Sequence, residues 1–93
     1  MSKKLPRVLL IEDTASLVHL YQQYLKNENI DLYTVTTGEE AKKFIADSPP
    51  ELVLLDLGLP DMNGIDILKW IQEESFPTHV IVITATNAID VVI

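Results

Sequence analysis

Cysteine is absent from the 93 residues. That excludes a disulfide framework, a thiolate nucleophile and a thiolate metal site. Positive charge is scarce: seven Lys and Arg stand against fourteen Asp and Glu, for a net charge of −7. A surface of that sign disfavours direct contact with nucleic acid or anionic membrane. Lys3, Lys4 and Arg7 form a small N-terminal cluster, read as a solvated end. No apolar run reaches membrane-spanning length. Met1 to Lys4 imitates the start of a signal peptide, but the apolar stretch after it runs only from Val8 to Ile11 and then meets two acids. The expected location is the cytoplasm. Neither G-x-G-x-x-G nor G-x-x-x-x-G-K-[ST] follows any apolar run, which argues against a nucleotide- or flavin-binding site.

What is present is a globular pattern. The hydrophobic share is 47%, ordinary for a packed domain and too high for disorder. A chain this short buries roughly two-thirds of its unfolded surface, so its stability margin is thin. Strand and helix signals alternate. Arg7–Ile11 reads as a strand. Leu17, Leu20, Tyr21, Tyr24 and Leu25 then follow the i, i+3, i+4, i+7, i+8 spacing of one helix face, expected to be core. Asp31–Val35 is a second strand with β-favouring Tyr33, Thr34 and Val35. Thr37-Gly38-Glu39-Glu40 carries a capping box and opens a helix with Ala41, Phe44 and Ile45 inward. Pro49-Pro50 stops it. Leu52–Leu55 is the most apolar strand and is expected to lie centrally. Gly58 to Gly64 is a dense turn segment. A third helix turns Ile67, Leu68 and Ile71 inward, and Val80–Ile83 is a fourth strand. Thr84 to Asn87 reads as a loop, and Ala88 to Ile93 as the start of a helix capped by Asn87. Strands separated by single helices imply parallel pairing through right-handed crossovers, hence a doubly wound α/β sheet.

Chemistry concentrates at two strand ends. The first strand runs into Glu12-Asp13, and the third into Asp56. If the two strands are neighbours, three acids gather at the carboxyl edge of the sheet, where open α/β sheets bind ligands. Like charges so placed favour protonation unless a cation neutralises them. Mg²⁺ suits such an all-oxygen site. Taken alone, Glu12-Asp13 reads more readily as a helix-capping pair than as a metal site, Thr84 as an ordinary strand-end residue and Asp61 as a turn or cap residue rather than a ligand. His19 and His79 have no partner pattern and read as structural or surface positions. Trp70 reads as packing, partly exposed.

Three blocks, Leu9-Leu10-Ile11-Glu12-Asp13, Leu54 to Gly64 and Ile83-Thr84-Ala85, resemble in residue and order the receiver domains of bacterial two-component response regulators. Glu12 to Ser16, Leu20-Tyr21, Tyr24-Leu25 and Leu59 to Met62 look most like the LuxO-type quorum-sensing regulators among the sigma-54 activators. The resemblance implies a flavodoxin-like (CheY-like) fold. It also implies transfer of a phosphoryl group from a histidine kinase or histidine phosphotransfer protein onto Asp56. Asp13, Asp56 and the Gly58 carbonyl match the Mg²⁺ ligands, with Glu12 acting often through water. Thr84 and Ala85 match the positions that receive the phosphoryl group. Pro60 and Gly64 match the turn that shapes the loop after Asp56. A domain of this kind modifies itself and turns over no external substrate. An aspartate-nucleophile phosphatase is disfavoured, because such enzymes carry a second acid where Gly58 stands.

The family also carries a lysine and an aromatic switch residue on a fifth strand. Neither has a counterpart here; the last lysine, Lys69, falls in the third helix. Residues 1–93 are therefore expected to form one receiver domain lacking the fifth strand and last helix. A fragment, a deliberate truncation and a short natural form all fit. The competing expectation is a phosphorylation-independent interaction module, pairing through an open sheet edge as a homodimer or domain-swapped oligomer.

Overall fold

Four pentapeptides build the sheet. In the computed structural model, which describes residues 4–83, they are β1 (Arg7–Ile11), β2 (Asp31–Val35), β3 (Leu52–Asp56) and β4 (His79–Ile83). Three helices connect them: α1 (Ala15–Leu25), α2 (Gly38–Asp47) and α3 (Gly64–Glu73). All pairings are parallel and the strand order is β2-β1-β3-β4. β1 and β3 are the inner strands, as their unbroken apolar character requires. The segment from Thr84 onward lies outside the described residues, and so do the loop and helix expected there.

The strand order reverses direction after β2. Right-handed crossovers then put α1 on one face of the sheet and α2 with α3 on the other. Leu9, Ile11, Val53, Leu55 and Val80 meet Ala41 and Ile45 of α2 and Ile67 and Ile71 of α3 in one buried cluster. Phe44 and Leu68, expected on the inward faces of these helices, pack against it half-buried at its margin. Trp70 packs edge-on against Phe76 at 5.1 Å, with the Lys42 ammonium 5.3 Å from its ring.

Local signals set the helix limits. Thr37 Oγ1 accepts the Glu40 N–H at 3.1 Å, one half of the capping box. The other half is altered: Glu40 Oε1 takes the hydroxyls of Thr36 and Thr37, both at 3.1 Å, and the Thr36 N–H at 3.4 Å. Ser75, at φ 55°, turns the chain out of α3.

α1 departs from expectation. None of its residues is fully buried. Leu17, Val18, Tyr21 and Leu25 are half-buried, whereas Leu20 is 42% and Tyr24 71% exposed. The apolar stripe is wider than the arc the sheet covers, and Val18 takes the place on that arc that the spacing gave to Leu20 and Tyr24.

At the amino edge of the sheet, Arg7 closes the fold. Its guanidinium donates to the carbonyl and hydroxyl of Ser48, both at 2.9 Å, and lies over Phe44 (4.9 Å) and Tyr33 (5.5 Å). Its backbone N–H donates to Glu51. Ile45→Val should lower the unfolding free energy by about 1 kcal/mol in urea titration, the usual result of removing one buried methyl group. Tyr24→Ala should change it by less than about 0.5 kcal/mol, as for other exposed positions.

Candidate functional site

β1 and β3 run side by side with Ile11 opposite Leu55. The residues after Ile11 therefore emerge next to the end of β3. Carboxylate oxygens of Glu12, Asp13 and Asp56 lie within 4.8 Å of one another. This is also where the strand order reverses, the crevice in which open α/β sheets hold ligands.

The three acids differ in exposure. Glu12 is 1% exposed, Asp56 half-buried and Asp13 exposed. The Glu12 backbone N–H donates to Val35 O at 3.1 Å, which fixes the residue just past the strand. Its Oε2 accepts the Thr14 N–H at 3.3 Å, and its side chain is also hydrogen-bonded to Asp56. Burial, the Asp56 hydrogen bond and the negative charge of Asp56 and Asp13 push the Glu12 carboxyl up to about 7, against the pull of the Thr14 N–H. Glu12 therefore titrates close to neutrality rather than in the usual carboxylate range. Tyr21 of α1 feels the same field: burial, then the charges of Glu12 and Asp56, raise its phenol.

The donor set fits a hard divalent cation. All three groups offer oxygen, they converge, and two of them reach solvent, so a metal can keep part of its water. Gly58 follows Asp56 by two residues, is exposed, and donates its N–H to Asp56 Oδ1 at 3.2 Å.

The loop carrying Gly58 is closely fitted. Gly64 is buried, and a Cβ there would come within 2.8 Å of both Asp56 O and Leu57 Cα. Only glycine lets the start of α3 approach the end of β3 this closely. Asn63 caps α3, its Oδ1 accepting the Ile65 N–H at 3.0 Å. Pro60 is exposed. Asp61 is indeed a cap, but of α2: Oδ1 accepts the Gly38 N–H at 2.8 Å and Oδ2 the Glu39 N–H at 3.0 Å. Those two donors hold the Asp61 carboxyl below its usual value. Residue type predicted a cap; nothing in the spacing announced a partner more than twenty positions away.

His19 is exposed on α1, and His79 starts β4 opposite Leu52, at the other end of the sheet from the acids. Neither belongs to the cluster. Thr84 and Ala85 lie outside the described residues. β4 ends at Ile83, in register with Asp56.

The response regulator receiver domain family matches residues 8–93. The chain belongs to that family. Among relatives of the receiver, the regulatory protein LuxO of Vibrio cholerae is 43% identical over 81 residues, covering 87% of this chain and 18% of that protein. The cell cycle transcriptional regulator CtrA of Caulobacter vibrioides is 37% identical over 84 residues, covering 90% of this chain and 36% of its own. The chain thus spans less than half the length of these regulators. The crystal structure of a signal receiver domain from Vibrio parahaemolyticus, described as a LuxO repressor, superposes with a TM-score of 0.86 at 50% identity. It covers 92% of this chain and 66% of the other. The response regulator MaeR, solved bound to beryllium trifluoride, gives a TM-score of 0.82 at 34% identity, covering 89% and 70%. The receiver is therefore a two-component signalling domain with the parallel flavodoxin-like sheet of its relatives. No helix among its described residues is long and apolar enough to cross a membrane.

Glu12 gives the metal-free receiver a pH signature. Its folded pKa lies above its unfolded one, so its contribution to stability is complete below about 4.5 and falls until the pH passes about 7. Urea unfolding in chelator across pH 5 to 8 should show stability declining over that window. Glu12→Gln should flatten the decline; an unchanged slope would remove Glu12 as its source.

Proposed function

We propose that the receiver takes a phosphoryl group from the phosphohistidine of a histidine kinase or phosphotransfer protein onto Asp56, in the cytoplasm. One observation carries this reading: three carboxylates at the switch point of the sheet, of which Asp56 is the one both anchored and open. Glu12 is buried, so an incoming phosphodonor does not reach its oxygens. Asp56 ends a paired strand and gives Oδ1 to the Gly58 N–H. An Asp56 carboxylate oxygen attacks phosphorus in line. The P–N bond to the donor imidazole breaks, its electron pair stays on the ring nitrogen, and an aspartyl phosphate is left.

Mg²⁺, held by Asp13, Asp56 and the Gly58 carbonyl with Glu12 through water, would neutralise the charge gathered between carboxylates and phosphoryl oxygens. The rest is done by the chain. Burial of Glu12 raises its carboxyl toward neutrality, so a bound cation would favour its ionised form. The closeness of Gly64 to Asp56 fixes the loop. Thr84, next in sequence after the strand end beside Asp56, is the hydroxyl that would hydrogen-bond the new phosphate, and a residue as small as Ala85 would leave it room. MaeR bound to beryllium trifluoride supports a pocket of phosphoryl size in such a domain. The likeness to LuxO supports a place in quorum sensing and transcription regulation.

Native mass spectrometry with a small-molecule phosphodonor tests this. The expected result is a gain of one phosphoryl group that needs Mg²⁺ and is lost in Asp56→Asn. No gain, with a dimer or larger species present, would favour an interaction module that works without phosphorylation.

A further inference from the structure

The loop beside Asp56 is anchored from outside the acidic cluster. Residues 57–63 join β3 to α3 without regular structure of their own. At the near end, Gly64 N–H donates to Leu57 O at 3.2 Å. At the far end, the Asp61 carboxylate grips Gly38 N–H and Glu39 N–H, the first two residues of α2. Helix-opening N–H groups lack intrahelical partners, so an ionised carboxylate there forms charge-assisted bonds at the positive end of the helix. Met62 lies directly over Gly38, where a Cβ would overlap its Cγ and Sδ. Two adjacent residues of the loop are thus seated on α2, one by charge and one by close packing.

We propose that Asp61 is a positioning residue of the phosphoacceptor site. By tying the loop to α2 it fixes where the Gly58 backbone stands beside Asp56, and so sets the affinity of the acidic cluster for a divalent cation. The proposal rests on the reading of that cluster as a Mg²⁺-dependent phosphoacceptor site. Asparagine has the shape of aspartate but offers one acceptor oxygen and no charge, so Asp61→Asn releases at least one of the two bonds. Gly38→Ala disturbs the same seat from the α2 side, through Met62. Both changes leave Glu12, Asp13 and Asp56 in place.

A cap that merely stabilises α2 predicts something different, and Thr37 distinguishes the two. Thr37 Oγ1 caps the same helix at Glu40 N–H and makes no hydrogen bond to the loop. The experiment is calorimetric titration of the full chain with MgCl₂ for wild type, Asp61→Asn, Gly38→Ala and Thr37→Ala. Urea unfolding of each variant reports helix stability alongside. Phosphoryl uptake is followed at low and saturating Mg²⁺. Asp61→Asn is expected to bind Mg²⁺ about tenfold more weakly, the scale of losing a group that orients ligands. Its uptake should be slow at low Mg²⁺ and recover at saturation. Gly38→Ala should move in the same direction, while Thr37→Ala loses stability but keeps wild-type Mg²⁺ affinity. Wild-type affinity in Asp61→Asn, or an equal loss in Thr37→Ala, would overturn the positioning role while the phosphoacceptor reading stands. A wild-type chain that neither binds Mg²⁺ nor takes a phosphoryl group would overturn the phosphoacceptor reading, and the positioning role with it.

Discussion

The in-register parallel pairing of β1 with β3 is the contact on which the rest depends. It is driven by apolar burial: Leu9, Leu10, Ile11, Val53 and Leu55 are wholly shielded from water. Its consequence is electrostatic. Because Ile11 lies opposite Leu55, the chain has no choice about where Glu12, Asp13 and Asp56 emerge. Val8 to Ile11 are buried on both faces and the apolar run stops at Glu12, so the limits of that run hold three repelling carboxylates together. That repulsion, with burial, raises the Glu12 carboxyl toward neutrality, so a proton there relieves part of it. A cation would do the same work with a full charge.

The two faces of the sheet are unequal in what they hold. α2 and α3 share one continuous buried cluster with the strands. α1 covers the opposite face with half-buried side chains only. The loop that carries Gly58 leans toward the better-packed side, where Asp61 and Met62 meet the start of α2. A loop seated on the more deeply packed side is held from two directions, by Gly64 against the end of β3 and by Asp61 against the start of α2. The same loop over α1 would rest on a helix with less to resist movement.

Sequence pattern revealed the strands, the parallel topology and the central position of β3, because each depends on short-range apolar runs and on chirality rules. The acids were legible for the same reason: once strands end at Ile11 and Asp56, edge placement follows. The exposure of Leu20 and Tyr24 was not. Helical spacing gives the direction of an apolar stripe, but how much of it a sheet covers is a tertiary quantity. The capping box at Thr37 was visible, yet Glu40 reaches Thr36, because its carboxylate finds two hydroxyls and an N–H on the preceding turn. Asp61 was legible as a cap by residue type alone. Its partner was hidden, because α2 precedes it by more than twenty residues and only the packing of α2 beside α3 brings them together.

β1 carries opposite electrostatic solutions at its two ends. At Arg7 the cation is fully engaged, with two hydrogen bonds to Ser48 and two aromatic rings beneath it. Arginine keeps its charge at any pH the protein meets, and its planar group can bond and stack at once. Five residues on, no Lys or Arg among the described residues forms an ion pair with Glu12 or Asp13; Lys43 pairs instead with Glu39 on the surface of α2. A carboxylate cluster with no internal cation depends on its surroundings for neutrality, through a proton, a metal ion or both. The strand is therefore tied by side-chain contacts at one end and bordered by acids at the other, and the negative charge that the proposed phosphorylation of Asp56 would add on neighbouring β3 falls beside the acidic end.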